Sequence, residues 1–269
     1  MASRREVTRE PQIIKGFKAF EADNKLYRAV AEGSVEKFGK NSQAYKTVMN
    51  GIDTDKGTGS QYFFNTEAGL YLPQGQRVAK YNDLGEINDT DPSFFNGIYT
   101  DTPELVLRTA TPSWKNNTKI LENLVKQVKE RGLEFSSENP LILSNLNIIR
   151  DDNKNNPYGI LLEMNDSTIA ENDQRFAYGK NEIQLGNQPK TLWTKENGLS
   201  WVYFSRNGYV DSDIVNLQNS DDYGRVAVVD AEGVSSENSE FETIKQKYHS
   251  DLSTLRDRIN VEIGEQDGR

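Results

Sequence analysis

Residues 199–210, LSWVYFSRNGYV, set the narrowest limit on what this chain can fold into. Trp201, Tyr203 and Ser205 alternate with Val202, Phe204 and Arg206, and aromatic and β-branched side chains at period two fit a pleated surface. The run stops at Asn207-Gly208, a pair that accepts positive φ at both centres of a type I′ turn, so the chain is expected to reverse into Tyr209-Val210. That is a hairpin. Past an acidic stretch with Asp211, Asp213, Asp221 and Asp222, the run Val226-Ala227-Val228-Val229 suits a strand covered on both faces, and it is expected to extend the same sheet.

The pattern predicts an α+β chain with a mainly antiparallel, sandwich- or barrel-like β core, an internal packing helix and helical segments at both termini. Residues 1–52 are the N-terminal segment: Pro11 opens an expected helix with Ile13, Ile14, Phe17, Phe20, Tyr27 and Val30 at helical spacing, and a second runs from Ser42 to Asn50. Residues 53–234 form the core. Within it, Asp53 to Ser60 (DTDKGTGS) lacks the Gly-Lys-Ser/Thr ending of a phosphate loop and the glycine position of an EF-hand, and is expected to be a flexible loop.

Strands are expected at 62–64, 69–72, 77–81, 105–107, 141–149, 158–164, 175–178, 182–185 and 191–193, separated by Gly, Pro, Asn and Asp turns. A helix from Asn117 or Thr118 to Gly132 places Ile120, Leu121, Leu124, Val125 and Val128 on one face. Asn65 to Leu70 echoes Thr194 to Leu199, which leaves open two related β units, 53–110 and 140–234, although the shared letters are mostly turn residues. Residues 235–269 form the C-terminal helix. Its capping box at Ser239-Glu242 leads into Phe241, Ile244, Tyr248, Leu252, Leu255 and Ile259, a narrow stripe suited to a helix–helix seam.

Composition narrows the chemistry. With no cysteine, the chain has no disulfide, thiolate nucleophile or Cys-ligated metal, and its single histidine, His249, excludes mechanisms needing two imidazoles in one chain. A net charge of −9 opposes attraction to nucleic acid and anionic membrane, because both depend on Lys and Arg. No apolar run approaches a membrane span or a signal segment, so a soluble, cytoplasmic protein is expected.

Two constellations remain. Asp211, Asp213, Asp221 and Asp222 offer oxygen ligands for calcium or magnesium, against the plainer reading of a charged edge that resists pairing with other sheets. Trp193, Trp201, Tyr203, Tyr209 and Tyr223 offer a stacking platform for sugar rings if they share an exposed face, and Asp211 with Glu196 supplies two carboxyls for glycosidic chemistry. Aromatics at strand spacing are more often core. The expected function is therefore non-catalytic binding or self-association through the C-terminal seam, with no cofactor. The competing class is a carbohydrate-binding or carboxylate- or metal-dependent carbohydrate-active protein.

Overall fold

A computed structural model describes residues 12–14, 17–205 and 208–231. Strands β1 (Gln12–Ile14) and β2 (Phe17–Glu21) pair antiparallel with Ile14 opposite Phe17, replacing the helix expected from Pro11. The spacing of Ile13, Ile14, Phe17 and Phe20 fits a helical stripe and a tight pair of short strands alike, and pairing of β2 with a strand near residue 229 decides between them. Helix α1 (Asn24–Phe38) begins where the Asp23 carboxylate accepts the amides of Lys25 and Leu26 at 3.0 and 3.2 Å. Helix α2 (Gln43–Val48) is capped by Ser42, close to its expected bounds.

The loop from Asp53 to Ser60 is closed rather than loose. Asp53 and Thr58 exchange backbone hydrogen bonds of 2.9 and 3.1 Å, and Gly59 at φ +94° is wedged where a Cβ would lie 2.2 Å from the Gly51 carbonyl oxygen. Tyr62, Phe63 and Phe64, expected in a strand, open helix α3 (Tyr62–Ala68), and residues 69–72 form a turn. All three rings are fully buried, and a helix covered all round needs no polar face to betray its period. The strand expected over 77–81 ends early as β3 (Gln76–Val78), because Asp83 accepts the Lys80 amide at 2.7 Å and starts helix α4 (Tyr81–Thr90).

Strand β4 (Thr100–Leu107) and helix α5 (Thr118–Glu130) follow, the helix burying the five apolar residues its spacing predicts. Each fully buried aliphatic side chain of that kind contributes about 1.5–3 kcal/mol of transfer free energy. The run 141–149 is two strands, β5 (Leu141–Ser144) and β6 (Asn147–Arg150), divided at Asn145 with φ 58°. β6 pairs only with β7 (Ile160–Glu163) across the polar 151–157 loop. After β8 (Ile169–Asn172), residues 174–176 make a 3-10 turn capped by Asp173 in place of an expected strand.

β9 (Gly179–Leu185), β10 (Gln188–Thr194), β11 (Leu199–Phe204), β12 (Val210–Ser212) and β13 (Ala227–Ala231) complete the described chain. The hairpin of β11 and β12 is present, but Ser205 N donates to Tyr209 O (2.8 Å) and Gly208 N to Ser205 O (2.9 Å), so residues 206–208 separate the closing pair. A three-residue connection with glycine at positive φ, here +80°, replaces the two-residue turn expected.

The principal sheet has seven strands in the order β8-β5-β4-β11-β12-β10-β9, and it is mixed, because β10 and β12 run parallel. β13 does not extend it. It lies between β2 and β3 in a four-stranded sheet, β1-β2-β13-β3, although Val226 to Val229 are buried as their continuous apolar run implies. Two apolar clusters cover the seven-stranded sheet. Leu105, Leu107, Leu199 and Trp201 pack with α1, α3 and α5, while Val106, Val202, Phe204 and Val210 pack with Leu84 and Ile87 of α4 and with Phe94 and Phe95.

Residues 65–68 are helical and 195–198 form a turn between β10 and β11, so the two echoing segments do not share a conformation. Among the described residues no helix is long and apolar enough to cross a membrane. The C-terminal stripe Phe241, Ile244, Tyr248, Leu252, Leu255 and Ile259, with His249, lies outside the described residues.

Candidate functional site: a cross-strand row on the seven-stranded sheet

Strand pairing assembles most of the singled-out residues into one row. Asp101 on β4 stands opposite Tyr203 on β11, Tyr203 opposite Asp211 on β12, Asp211 opposite Trp193 on β10, and Trp193 opposite Lys180 on β9. Directly paired residues point to the same face, so these five side chains share one surface. A bulge sets its inner end: Leu105 pairs with Trp201 and Asp101 with Tyr203, leaving Thr102, Pro103 and Glu104 opposite Val202 alone. Proline has no amide to give the ladder, and two extra residues keep Asp101 on the face of Leu105.

Burial falls along the row. Asp101 is 2% exposed, Tyr203 and Asp211 are half-buried, and Trp193 is 48% exposed. At the inner end Trp201 Nε1 donates to Asp101 Oδ1 at 2.5 Å, the Asp101 amide donates to Ser60 Oγ at 3.1 Å, and Asn65 Nδ2 donates to the Asp101 carbonyl at 2.5 Å. Tyr203 OH donates to Asp213 Oδ1 at 3.0 Å, and Trp193 N to Asp211 Oδ1 at 3.3 Å. The Lys180 ammonium sits 5.3 Å from the centre of the Trp193 ring.

Electrostatics follow burial. Burial pushes the Asp101 carboxyl up to about 7, with the Trp201 hydrogen bond and the nearby Ser60 hydroxyl pulling it back and the charge of Asp221 adding to the rise. Asp211 rises to about 6, first through burial and then through Asp213. Tyr203 is raised by burial and by Asp211 and Asp213, so its hydroxyl stays protonated.

The structure thus brings together Trp193, Tyr203, Asp211 and Asp213, with Trp201 behind them in the core at 1% exposure. The remaining candidates stand elsewhere. Tyr209 follows the hairpin turn, and Asp221, Asp222 and Tyr223 lie in the segment before β13, where Asp221 N donates to Tyr99 OH and its carboxylate accepts the Tyr223 amide, both at 2.8 Å. Glu196 is in the exposed turn between β10 and β11. Among the described residues no group of three or more His, Asp or Glu side chains is placed to hold a metal ion. The five aromatics are not one exposed platform either, since Trp201 is interior.

Sequence reasoning missed three buried ionisable residues on and beside β4. Asp101 is one. Glu104, 3% exposed, accepts the Tyr81 amide at 2.8 Å and is pushed up to about 7 by burial. Arg108, fully buried, donates to Phe176 O (3.0 Å), Ser200 Oγ (2.7 Å) and, at 3.4 Å each, to Ser212 O and Oγ; burial brings it down to about 9. The available signal was three charged residues inside eight positions of an apolar strand pattern.

Away from the row, an open cavity of about 340 Å³ lies between the start of α2 and the 150–159 loop, lined by Ser42, Gln43, Arg150, Asp151, Asn153 and Lys154 among others. No family model, curated protein or solved structure matches this chain.

Proposed function

We propose that this chain is a non-catalytic binding protein whose contact surface is the open end of the row, around Trp193. One observation carries the reading: a tryptophan left 48% exposed on the strand next to the sheet's edge, with a cation over its ring and Asp211 beside it on the neighbouring strand. Tryptophan is among the residues most enriched where binding energy concentrates. The hydrogen bonds that hold Asp211 to β10 and Tyr203 to Asp213 leave a surface that is already ordered, so little freedom is lost when a partner docks.

Screening the wild-type chain and Trp193→Ala against peptide and oligosaccharide arrays tests this. Any specific binder is expected to lose about thirty-fold or more in affinity with the variant, the cost of removing a central anchor of about 2 kcal/mol. Binders that ignore the substitution would remove Trp193 from the site.

A carbohydrate ligand is the second reading, favoured by an aromatic ring next to a carboxyl raised to about 6, which is protonated in mildly acidic solution. Oligosaccharides retained and left uncleaved support binding, and cleavage that stops in Asp211→Asn supports the enzyme.

Self-association through Phe241 to Ile259 belongs to the same proposal, since an isolated helix with one apolar seam is only marginally stable in water. Light scattering over about a hundredfold dilution should show an assembly for the full chain and a folded monomer for one cut after Ser235. Equal mass per chain in both forms would end the self-association half.

A further inference from the structure

The buried end of the row carries a different chemistry from the open end. Asp101 Oδ1 accepts the Trp201 indole N–H, but Oδ2 is buried with no hydrogen-bond partner among the described residues. Asn65 Oδ1 is a second buried acceptor without a donor, although Asn65 Nδ2 reaches both the Asp101 carbonyl and Ser60 Oγ. Ser60 Oγ accepts the Asp101 amide and Asn65 Nδ2, so its single proton can serve at most one of the two unpaired acceptors. A buried polar atom left unpaired is costly, and a carboxylate in that position adds an uncompensated charge.

The groups facing Asp101 offer it no cation. Tyr27 faces it from α1, Asn65 from α3, Ser60 and Tyr99 from the segments leading into α3 and β4, Trp201 and Tyr203 from β11, and Asp221 from the segment before β13. Asp211 and Asp213 act on Tyr203 from β12 and beyond it. Arg225 donates to the carbonyls of Asp222 and Gly224 and lies 3.9 Å from Glu21. The Asp101 environment is thus acidic, phenolic or neutral throughout. A proton on Oδ2 removes the uncompensated charge and turns that orphan acceptor into a donor.

We propose that Asp101 is a proton-operated latch: the fold closes around its neutral carboxylic acid, and loss of that proton to water loosens the segments that cover it. Those segments are joined to Asp101 by a short chain of hydrogen bonds. Its amide donates to Ser60 Oγ, Ser60 N donates to Ser220 Oγ at 3.1 Å, and Tyr99 OH donates to Ser60 O at 3.0 Å while accepting the Asp221 amide at 2.8 Å. A charge formed on Asp101 must draw in water or a donor, and the cover over it, residues 58–60 and 220–225, is what can give way. The direction follows from burial: the folded protein keeps this proton to about pH 7, whereas an unfolded aspartic acid releases it near 4. Stability from the latch is therefore full below about pH 4 and is lost as pH rises towards about 7.

The test uses the full chain. Carboxyl carbon resonances and the Trp201 indole N–H are followed by NMR from about pH 4 to 9, with hydrogen-exchange protection factors for Ser60 and Asp221. The latch predicts an Asp101 carboxyl midpoint near 7, assigned apart from that of Glu104 by its loss in Asp101→Asn, an indole shift with the same midpoint, and a protection loss of about tenfold or more for both amides across it. Asp101→Asn, a neutral carboxamide of the same shape, should abolish the indole shift and the pH dependence of protection. Asp221→Asn should lower the midpoint, because it removes a neighbouring negative charge. A wild-type Asp101 midpoint below about 5 overturns the proposal, as does protection that stays level through the titration, and the second outcome needs no variant.

Discussion

Asp101 on β4 and Trp193 on β10 share one face of one sheet, with only Tyr203 and Asp211 between them, yet one is 2% exposed and the other 48%. The backbone treats them alike; what differs is the cover. Helices α1 and α3 and the segments around Ser60 and Asp221 close over β4 and β11, whereas β10 and β9 extend past that cover to the sheet's edge. The same acidic-aromatic pairing is thus closed into the core at one end and open to solvent at the other. Strand alternation assigns a face to each residue, and tertiary packing alone decides whether that face meets water.

The widest contrast expected is between the two tryptophans. Trp201→Ala removes a fully buried ring and the indole N–H that Asp101 Oδ1 accepts, and should cost about 3–5 kcal/mol in chemical denaturation. Trp193→Ala, on the open end, should stay within about 0.5 kcal/mol. Similar losses for both would mean that the two ends are packed alike and would dissolve the comparison.

A smaller effect separates the ends by pH. With Asp101 raised from 3.8 to about 7, the folded chain binds more protons than the unfolded one throughout that window, so stability falls as pH rises. Between pH 5 and 8 Asp101 should account for a loss of about 2–3 kcal/mol, with a comparable share from buried Glu104, also raised to about 7, and a lesser one from half-exposed Asp211, whose rise to about 6 has the same sign and is weakened by solvent. Denaturant midpoints for the wild type should drop over this range, and Asp101→Asn should remove the Asp101 share of the drop while leaving the part that Glu104 and Asp211 contribute. A wild-type profile that rises instead would place a cation near Asp101.

How much of this was legible in the sequence varies by residue. The β11 alternation and the α5 stripe read correctly because both are long enough for their periods to be unambiguous. Tyr62-Phe63-Phe64 did not, since three consecutive buried aromatics show neither period, and Ile13 to Phe20 showed two at once. Trp193, Tyr203, Asp211 and Asp213 were found because they crowd into a short stretch. Asp101 was not found, although it lies opposite Tyr203, because pairing across about a hundred residues of chain leaves no local trace and the bulge at Pro103 shifts the register that would have indicated it.

The smallest effect concerns the joint between the two ends, the hairpin that carries Tyr203 on one arm and Asp211 on the other. Gly208 closes it at φ +80°, and a Cβ built there meets nothing within 4 Å, so a substitution tests backbone strain without steric crowding. Gly208→Val should cost about 1 kcal/mol or more, since a β-branched residue is disfavoured at positive φ, while Gly208→Asn should cost less because Asn tolerates that region. If the turn also sets the spacing of the row, the valine variant should weaken Trp193-dependent binding while leaving the Asp101 titration near 7. Equal melting temperatures for glycine, asparagine and valine at 208 would show that the hairpin's register is held by the Tyr203–Asp211 and Phe204–Val210 pairs alone, making the joint a consequence of the two ends and no longer a constraint on them.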